Sequence, residues 1–97
     1  MENKSWIYIT TNRKDGVLYT GMTAHLKDRI ESHKTKKYDN SFSGRYNLDK
    51  LVYFEEFADI EDAYKREKQI KAGSRKKKVE LIESFNPDWK DLFDEID

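Results

Sequence analysis

Five side chains in this sequence have the types and the order to work on a phosphodiester: Tyr8, Tyr19, Arg29, His33 and Glu67. A glutamate is a hard oxygen ligand suited to Mg²⁺, which often takes one or two carboxylates and several waters. An arginine can oppose charge that builds on phosphoryl oxygens. A tyrosine, or a water it orients, can deliver the nucleophile once nearby positive charge favours its deprotonated form. Each residue also has a plainer reading. A strand tyrosine is ordinarily a packing residue, and a lone histidine on an apolar stripe is ordinarily a satisfied core histidine. Glu67 could simply pair with Arg29 as a structural ion pair. Only the combination favours a site.

The elements that must hold these groups follow from pattern. Ser5 to Thr11 is rich in β-branched and aromatic residues and reads as a strand. Asn12 to Gly16 reads as a polar turn, and Val17 to Gly21 as the returning strand. Period-two geometry puts Trp6, Tyr8 and Thr10 on one face, and Val17, Tyr19 and Gly21 on one face of the partner. A hairpin closed near residues 13 and 14 sets Tyr8 opposite Tyr19. Thr23 is expected to cap a helix over about Ala24 to Lys36. Its inward stripe is Leu26, Arg29, Ile30 and His33, with His25 off the stripe. An arginine on such a stripe needs a reason, because burying it unpaired is costly.

Residues 38–47 read as an irregular loop and Leu48 to Phe57 as a strand. Asp59 caps a second helix that runs to about Ala72 and stops at Gly73. Its expected apolar stripe is Ile60, Ala63, Tyr64, Glu67 and Ile70, with Glu67 as the anomaly. A last helix covers about Arg75 to Ser84. Asn86-Pro87 ends it, and Trp89, Leu92 and Phe93 form a tail expected to dock on the core. If both of these helices pack on that sheet, all five polar groups converge.

Composition narrows the class. Ninety-seven residues suit one domain spanning 1–97. Thirteen aromatic residues can each bury a large area, which argues against disorder. With no cysteine, disulfides and thiolate metal sites are excluded. No apolar run is long enough to span a bilayer, and the first residues lack a signal-peptide stretch. Together these point to the cytoplasm. Net charge is zero, yet residues 65–78 hold eight Lys/Arg against one Glu, a net of +7. Lys65, Lys68, Lys71, Arg75, Lys76 and Lys77 are therefore candidate phosphate contacts. The plainer reading is a solvated helix face, partly neutralised by the acidic tail.

The layout Trp6-Ile7-Tyr8, Tyr19-Thr20-Gly21, Arg29, His33 and Glu67 resembles the GIY-YIG nuclease superfamily. It is similar in particular to the small stand-alone bacterial members, through Leu18 to Thr23, Leu26 to His33, Arg66 to Lys71 and Asn86 to Trp89. The first motif lacks its leading glycine, and the second has threonine in place of isoleucine. The resemblance covers nearly the whole chain and implies an α+β fold, a three-stranded, mostly antiparallel sheet flanked by helices. It implies one divalent ion, Mg²⁺ or Mn²⁺, on Glu67, and Arg29 on the scissile phosphate. It favours Tyr8 as general base, Tyr19 as the group orienting phosphate or water, and His33 as a hydrogen-bonding assistant. Asn86 stands where some members carry an active-site asparagine. The implied activity is cleavage of DNA, in repair or processing. The rivals are a nucleic-acid-binding module of the same fold with little or no cleavage, and a protein-interaction module.

Overall fold

The computed structural model describes residues 4–35 and 48–96. Strands β1 (Ser5–Thr11), β2 (Leu18–Thr23) and β3 (Lys50–Phe57) form one antiparallel sheet in the order β2-β1-β3. Helix α1 (Leu26–Lys34) follows β2, while α2 (Ile60–Ala72) and α3 (Arg75–Phe85) follow β3. A 3₁₀ turn spans Phe93–Glu95. The expected α+β class, a small antiparallel sheet flanked by helices, is the one observed. The expected irregular loop at 38–47 and the end of the first helix at Lys36 lie outside the described residues.

Both faces of the central strand are covered, so β1 is almost wholly buried. Ile7 and Ile9 pack with Ala63 and Ile70 of α2, Ile82 of α3, and Trp89. On the opposite face Tyr8 packs with Leu26 and Ile30 of α1, Leu51 and Leu92. Helices α1 and α2 therefore sit on opposite faces of the sheet, with α1 on the face that carries Tyr8. Strand alternation decides this: adjacent residues of β1 need apolar partners on both sides. A bulge tunes the β3 edge. Ile9 pairs with Tyr53 and Thr10 with Leu51, leaving Val52 as the extra residue. Val52 and Tyr53 then both join the α2 side, while Leu51 stays with α1.

The hairpin register differs from expectation by two residues. Thr11 pairs with Leu18, so Tyr8 faces Gly21 and Tyr19 faces Thr10. The cause is a wider turn. Val17 N–H donates to Asn12 Oδ1 at 3.0 Å, Gly16 N–H donates to Arg13 O at 2.9 Å, and Asp15 takes the left-handed conformation at φ 59°. A shift of two keeps every side chain on its face. The tyrosines are thus diagonal neighbours rather than an opposed pair.

Helix α1 begins later than expected. Thr23 is still in β2, and its hydroxyl accepts from His25 N–H at 3.0 Å. His25 holds the N-cap position without a side-chain cap. Helix α2 starts as expected, with Asp59 accepting from Glu61 N–H at 2.9 Å. Its stripe is narrower than expected. Ala63 and Ile70 are buried, but Ile60 and Tyr64 are 56% and 48% exposed. Half of the apolar pattern on α2 therefore faces outward.

The tail after α3 crosses the β3 edge and seals both faces. Trp89 enters one cluster and Leu92 the other. Leu92 N–H donates to Leu51 O at 2.7 Å, and Asp91 Oδ1 accepts from Leu51 N–H at 3.2 Å. Asn86 is the clamp. Its buried amide donates to Val52 O at 3.1 Å and Lys90 O at 2.8 Å, and accepts from Lys90 N–H at 3.0 Å. All of these bonds go to backbone, one at the bulge and two at Lys90 of the tail, so Asn86 does structural work there. Asn86→Ala would strand buried carbonyls and is expected to cost about 1–3 kcal/mol in chemical denaturation, with the tyrosine cluster unchanged in near-UV circular dichroism.

Candidate active site

Tyr8 is the centre of the cluster. Its side chain is fully buried, and its hydroxyl lies over Gly21 of the edge strand β2. A Cβ on Gly21 would stand 2.6 Å from Tyr8 Oη and 2.7 Å from Cζ. Glycine at 21 is therefore the space that Tyr8 occupies. Among the described residues the buried hydroxyl has no hydrogen-bond partner of good geometry. A buried polar atom left without a partner ordinarily costs free energy and invites explanation. Burial, then the neighbouring Tyr19, then the Glu67 carboxylate push its pKa up to about 12. The Arg29 guanidinium opposes them, through its charge and then through a side-chain hydrogen-bonding contact that falls short of good distance and angle.

Tyr19 and His33 complete a triangle of rings around this hydroxyl. Ring centroids are 6.2 Å apart for Tyr8 and Tyr19, 5.9 Å for Tyr8 and His33, and 6.0 Å for Tyr19 and His33. His33 is buried, with Nδ1 3.0 Å from Leu48 O. A carbonyl can only accept, so Nδ1 carries the hydrogen and the neutral ring keeps its lone pair on Nε2. Burial pulls the His33 pKa below 6.5, and the charge of Arg29 adds to this against the Leu48 hydrogen bond. The imidazole is thus a neutral acceptor in the cluster at neutral pH.

Arg29 and Glu67 arrive from different helices. Arg29 sits beside the buried stripe Leu26, Ile30 and His33 of α1, yet it is exposed. The expected burial of an arginine is thereby avoided, and its charge still reaches both Tyr8 and His33. Glu67 belongs to α2, on the far face of the sheet, but the Tyr8 hydroxyl feels its charge. The edge strand makes this possible, because α2 packs along β2 and the Tyr8 ring extends toward the same edge. The Glu67 side chain is 14% exposed and pairs with Lys71 Nζ at 3.2 Å, one turn on. The ion pair described for Glu67 is thus with Lys71, not Arg29.

The basic run does not form one face. Lys65 and Lys68 project from α2, with the Lys68 ammonium 4.8 Å from the centre of the Tyr64 ring. Lys71 is engaged by Glu67. Arg75 Nη2 donates to Asp15 O at 2.8 Å and Gly16 O at 2.6 Å, tying α3 to the hairpin turn. Lys76 and Lys77 are exposed in the first turn of α3. Two contributors escape sequence reasoning. The Leu48 carbonyl that orients His33 is a backbone atom, for which no residue type gives a signal. Gly21 is visible as a motif glycine, but its reason needs the register.

Comparison with known proteins bears on this arrangement. Residues 4–80 match the GIY-YIG catalytic domain. The chain is 35% identical over 86 residues to a UPF0213 protein of Syntrophus aciditrophicus, covering 89% of this chain and 97% of that one. It is 40% identical over 80 residues to a UPF0213 protein of Clostridium perfringens, covering 82% and 84%. The solution NMR structure of a UPF0213 protein from Bacillus halodurans aligns with a TM-score of 0.57 at 30% identity, over 92% and 93% of the two chains. The chain belongs to the GIY-YIG family. Within that nuclease-type family it is similar to the small bacterial UPF0213 proteins.

Two outcomes test the geometry. Gly21→Ala drives a methyl into the Tyr8 ring and is expected to cost about 1–3 kcal/mol. In a Tyr8→Val background the same change is expected to cost much less, and a double-mutant cycle reads the coupling. His33 binds a proton more weakly folded than unfolded, so its contribution is present above pH 6.5 and fades as pH falls below it. The urea midpoint of wild type is therefore expected to drop from pH 7 to pH 5 more steeply than that of His33→Asn.

Proposed function

We propose that this protein is a divalent-metal-dependent DNA endonuclease that hydrolyses phosphodiester bonds at the cluster of Tyr8, Tyr19, Arg29, His33 and Glu67. One observation carries this reading: a buried tyrosine hydroxyl without a well-formed hydrogen bond among the described residues, under the influence of an exposed guanidinium and a carboxylate. Such an arrangement stabilises little by itself and suits a site that completes its contacts with substrate.

The residues fit a lightly held ion. Among the described residues no group of three or more His, Cys, Asp or Glu could enclose a metal. Mg²⁺ does not require such a cage, because it keeps most of its waters and binds through one or two carboxylates. Glu67, mostly shielded and close enough for its charge to reach the Tyr8 hydroxyl, would hold one Mg²⁺ or Mn²⁺. When bound, the ion would supply positive charge at the phosphate and ease formation of the nucleophile.

The remaining steps fall to the chain. Arg29 is exposed and so can meet an incoming phosphate, opposing charge on its oxygens. Tyr8 starts protonated at neutral pH, since its pKa is about 12. Positive charge from Arg29 favours ionisation, which burial opposes, and a cation held by Glu67 would add to it. The phenolate then takes a proton from water as the water oxygen bonds to phosphorus and the bond to the leaving oxygen breaks. Tyr19 orients phosphate or water, and neutral His33 accepts a hydrogen bond at Nε2.

A second reading has its own support. The Lys71–Glu67 pair occupies the carboxylate, as suits a nucleic-acid-binding module with little or no cleavage. Labelled single-stranded, duplex and branched DNA, each with Mg²⁺ or Mn²⁺, separates the two. Wild type is expected to cleave at least one substrate, with Glu67→Ala and Arg29→Ala each slower by at least about 100-fold. Cleavage that persists in both variants would remove the site assignment. Salt-sensitive binding without cleavage on any substrate would favour the binding module.

A further inference from the structure

Between β2 and the corner that joins α2 to α3 lies an open groove of about 640 Å³. Val17, Leu18 and Tyr19 line its strand side, and Lys71, Arg75 and Lys78 its helix side. The groove adjoins the tyrosine cluster: Tyr19 lines it and packs against Tyr8, and Lys71 of its helix side is paired with Glu67. Its cations are held in place but not cancelled. Arg75 is fixed by the Asp15 and Gly16 carbonyls. Lys78 Nζ donates to Gly73 O at 3.2 Å. Neutral carbonyls position a cation and leave its charge facing the groove, so three cations face one described carboxylate partner, Glu67. The opposite wall is apolar and aromatic.

A positive wall that tracks phosphates and an apolar wall that receives bases are the two requirements of a single-strand site. A closed duplex presents phosphates on both sides and hides its base faces, so it matches only half of this groove. We propose that the groove seats an unpaired nucleic-acid strand, with phosphates on Lys71, Arg75 and Lys78 and bases against Val17 and Leu18. The strand is thereby led to Tyr19 and Glu67. This rests on the nuclease reading and makes the preferred substrate a single strand or a flap. Lys65, Lys68 and Lys76, from the same basic run, do not line the groove and give only diffuse attraction.

Fluorescence anisotropy without metal tests this on the full chain, using a short labelled oligothymidylate and a hairpin duplex of similar charge. Replacing Arg75 and Lys78 together by alanine is expected to weaken oligothymidylate binding about tenfold. It should also lower the salt slope by about 1.4, two single-strand phosphate contacts. The pair Lys65→Ala and Lys76→Ala removes the same charge and is expected to weaken both probes alike and by less. Arg75 also braces the hairpin turn, so Lys78→Ala alone, with an expected loss of about threefold, keeps the test valid if the double variant misfolds. Equal effects of the groove pair and the control pair would overturn the groove, as would tighter binding of duplex than of single strand by wild type. Groove-dependent binding with no cleavage by wild type would sink the nuclease reading and leave the groove standing. Cleavage by wild type with equal effects of the two pairs would do the reverse.

Discussion

The Tyr8 ring lies directly over Gly21, and the site takes its shape from that contact. A side chain of any size at 21 would collide with the ring. With glycine there, Tyr8 can stay buried while its ring and hydroxyl lie over the edge strand β2. That reach brings together groups from opposite sides of a sheet. Arg29 and His33 come from the helix on one face, Glu67 from the helix on the other, and the hydroxyl stands where their influence overlaps. A glycine in mid-strand weakens the strand in itself. Here that loss is offset by an aromatic ring packed where a side chain would be.

The electrostatics follow from burial. Phenol, imidazole and carboxylate lie close together with little water, so each is held near its neutral or paired state. Tyr8 keeps its proton, His33 stays neutral, and Glu67 leans on Lys71. The exposed Arg29 is the charge that offsets this.

Two other networks keep the frame rigid without entering the chemistry. Arg66 makes a forked contact with Glu55, which also accepts from Tyr53, and so joins α2 to β3. Asn86 and Asp91 fasten the tail across the β3 edge. Covering that edge removes an open row of backbone groups, and leaves the β2 side as the accessible margin. The basic groove and the tyrosine cluster both lie on that margin.

Much of this was legible in the residues. Strand alternation, the Asp59 cap and the stop at Gly73 are local signals, and they placed the three strands and three helices to within a few positions. The same periodicity singled out Tyr8, Tyr19, Arg29, His33 and Glu67 as polar groups on inward-tending faces. Three matters are not local and could not be read. The hairpin register depends on side-chain bonds inside the turn, which moved the partner of Tyr8 from Tyr19 to Gly21. The choice of sheet face for each helix depends on apolar demand on both sides of β1, which separated α1 from α2. The exposure of Ile60 and Tyr64 depends on how far α2 lies along the β2 edge. Sequence by itself determined which groups exist and on which element each is carried, because helix and strand periods are properties of the chain. Only the tertiary structure decided that they meet, because meeting at one hydroxyl requires a ring to cross an edge strand at a position with no side chain.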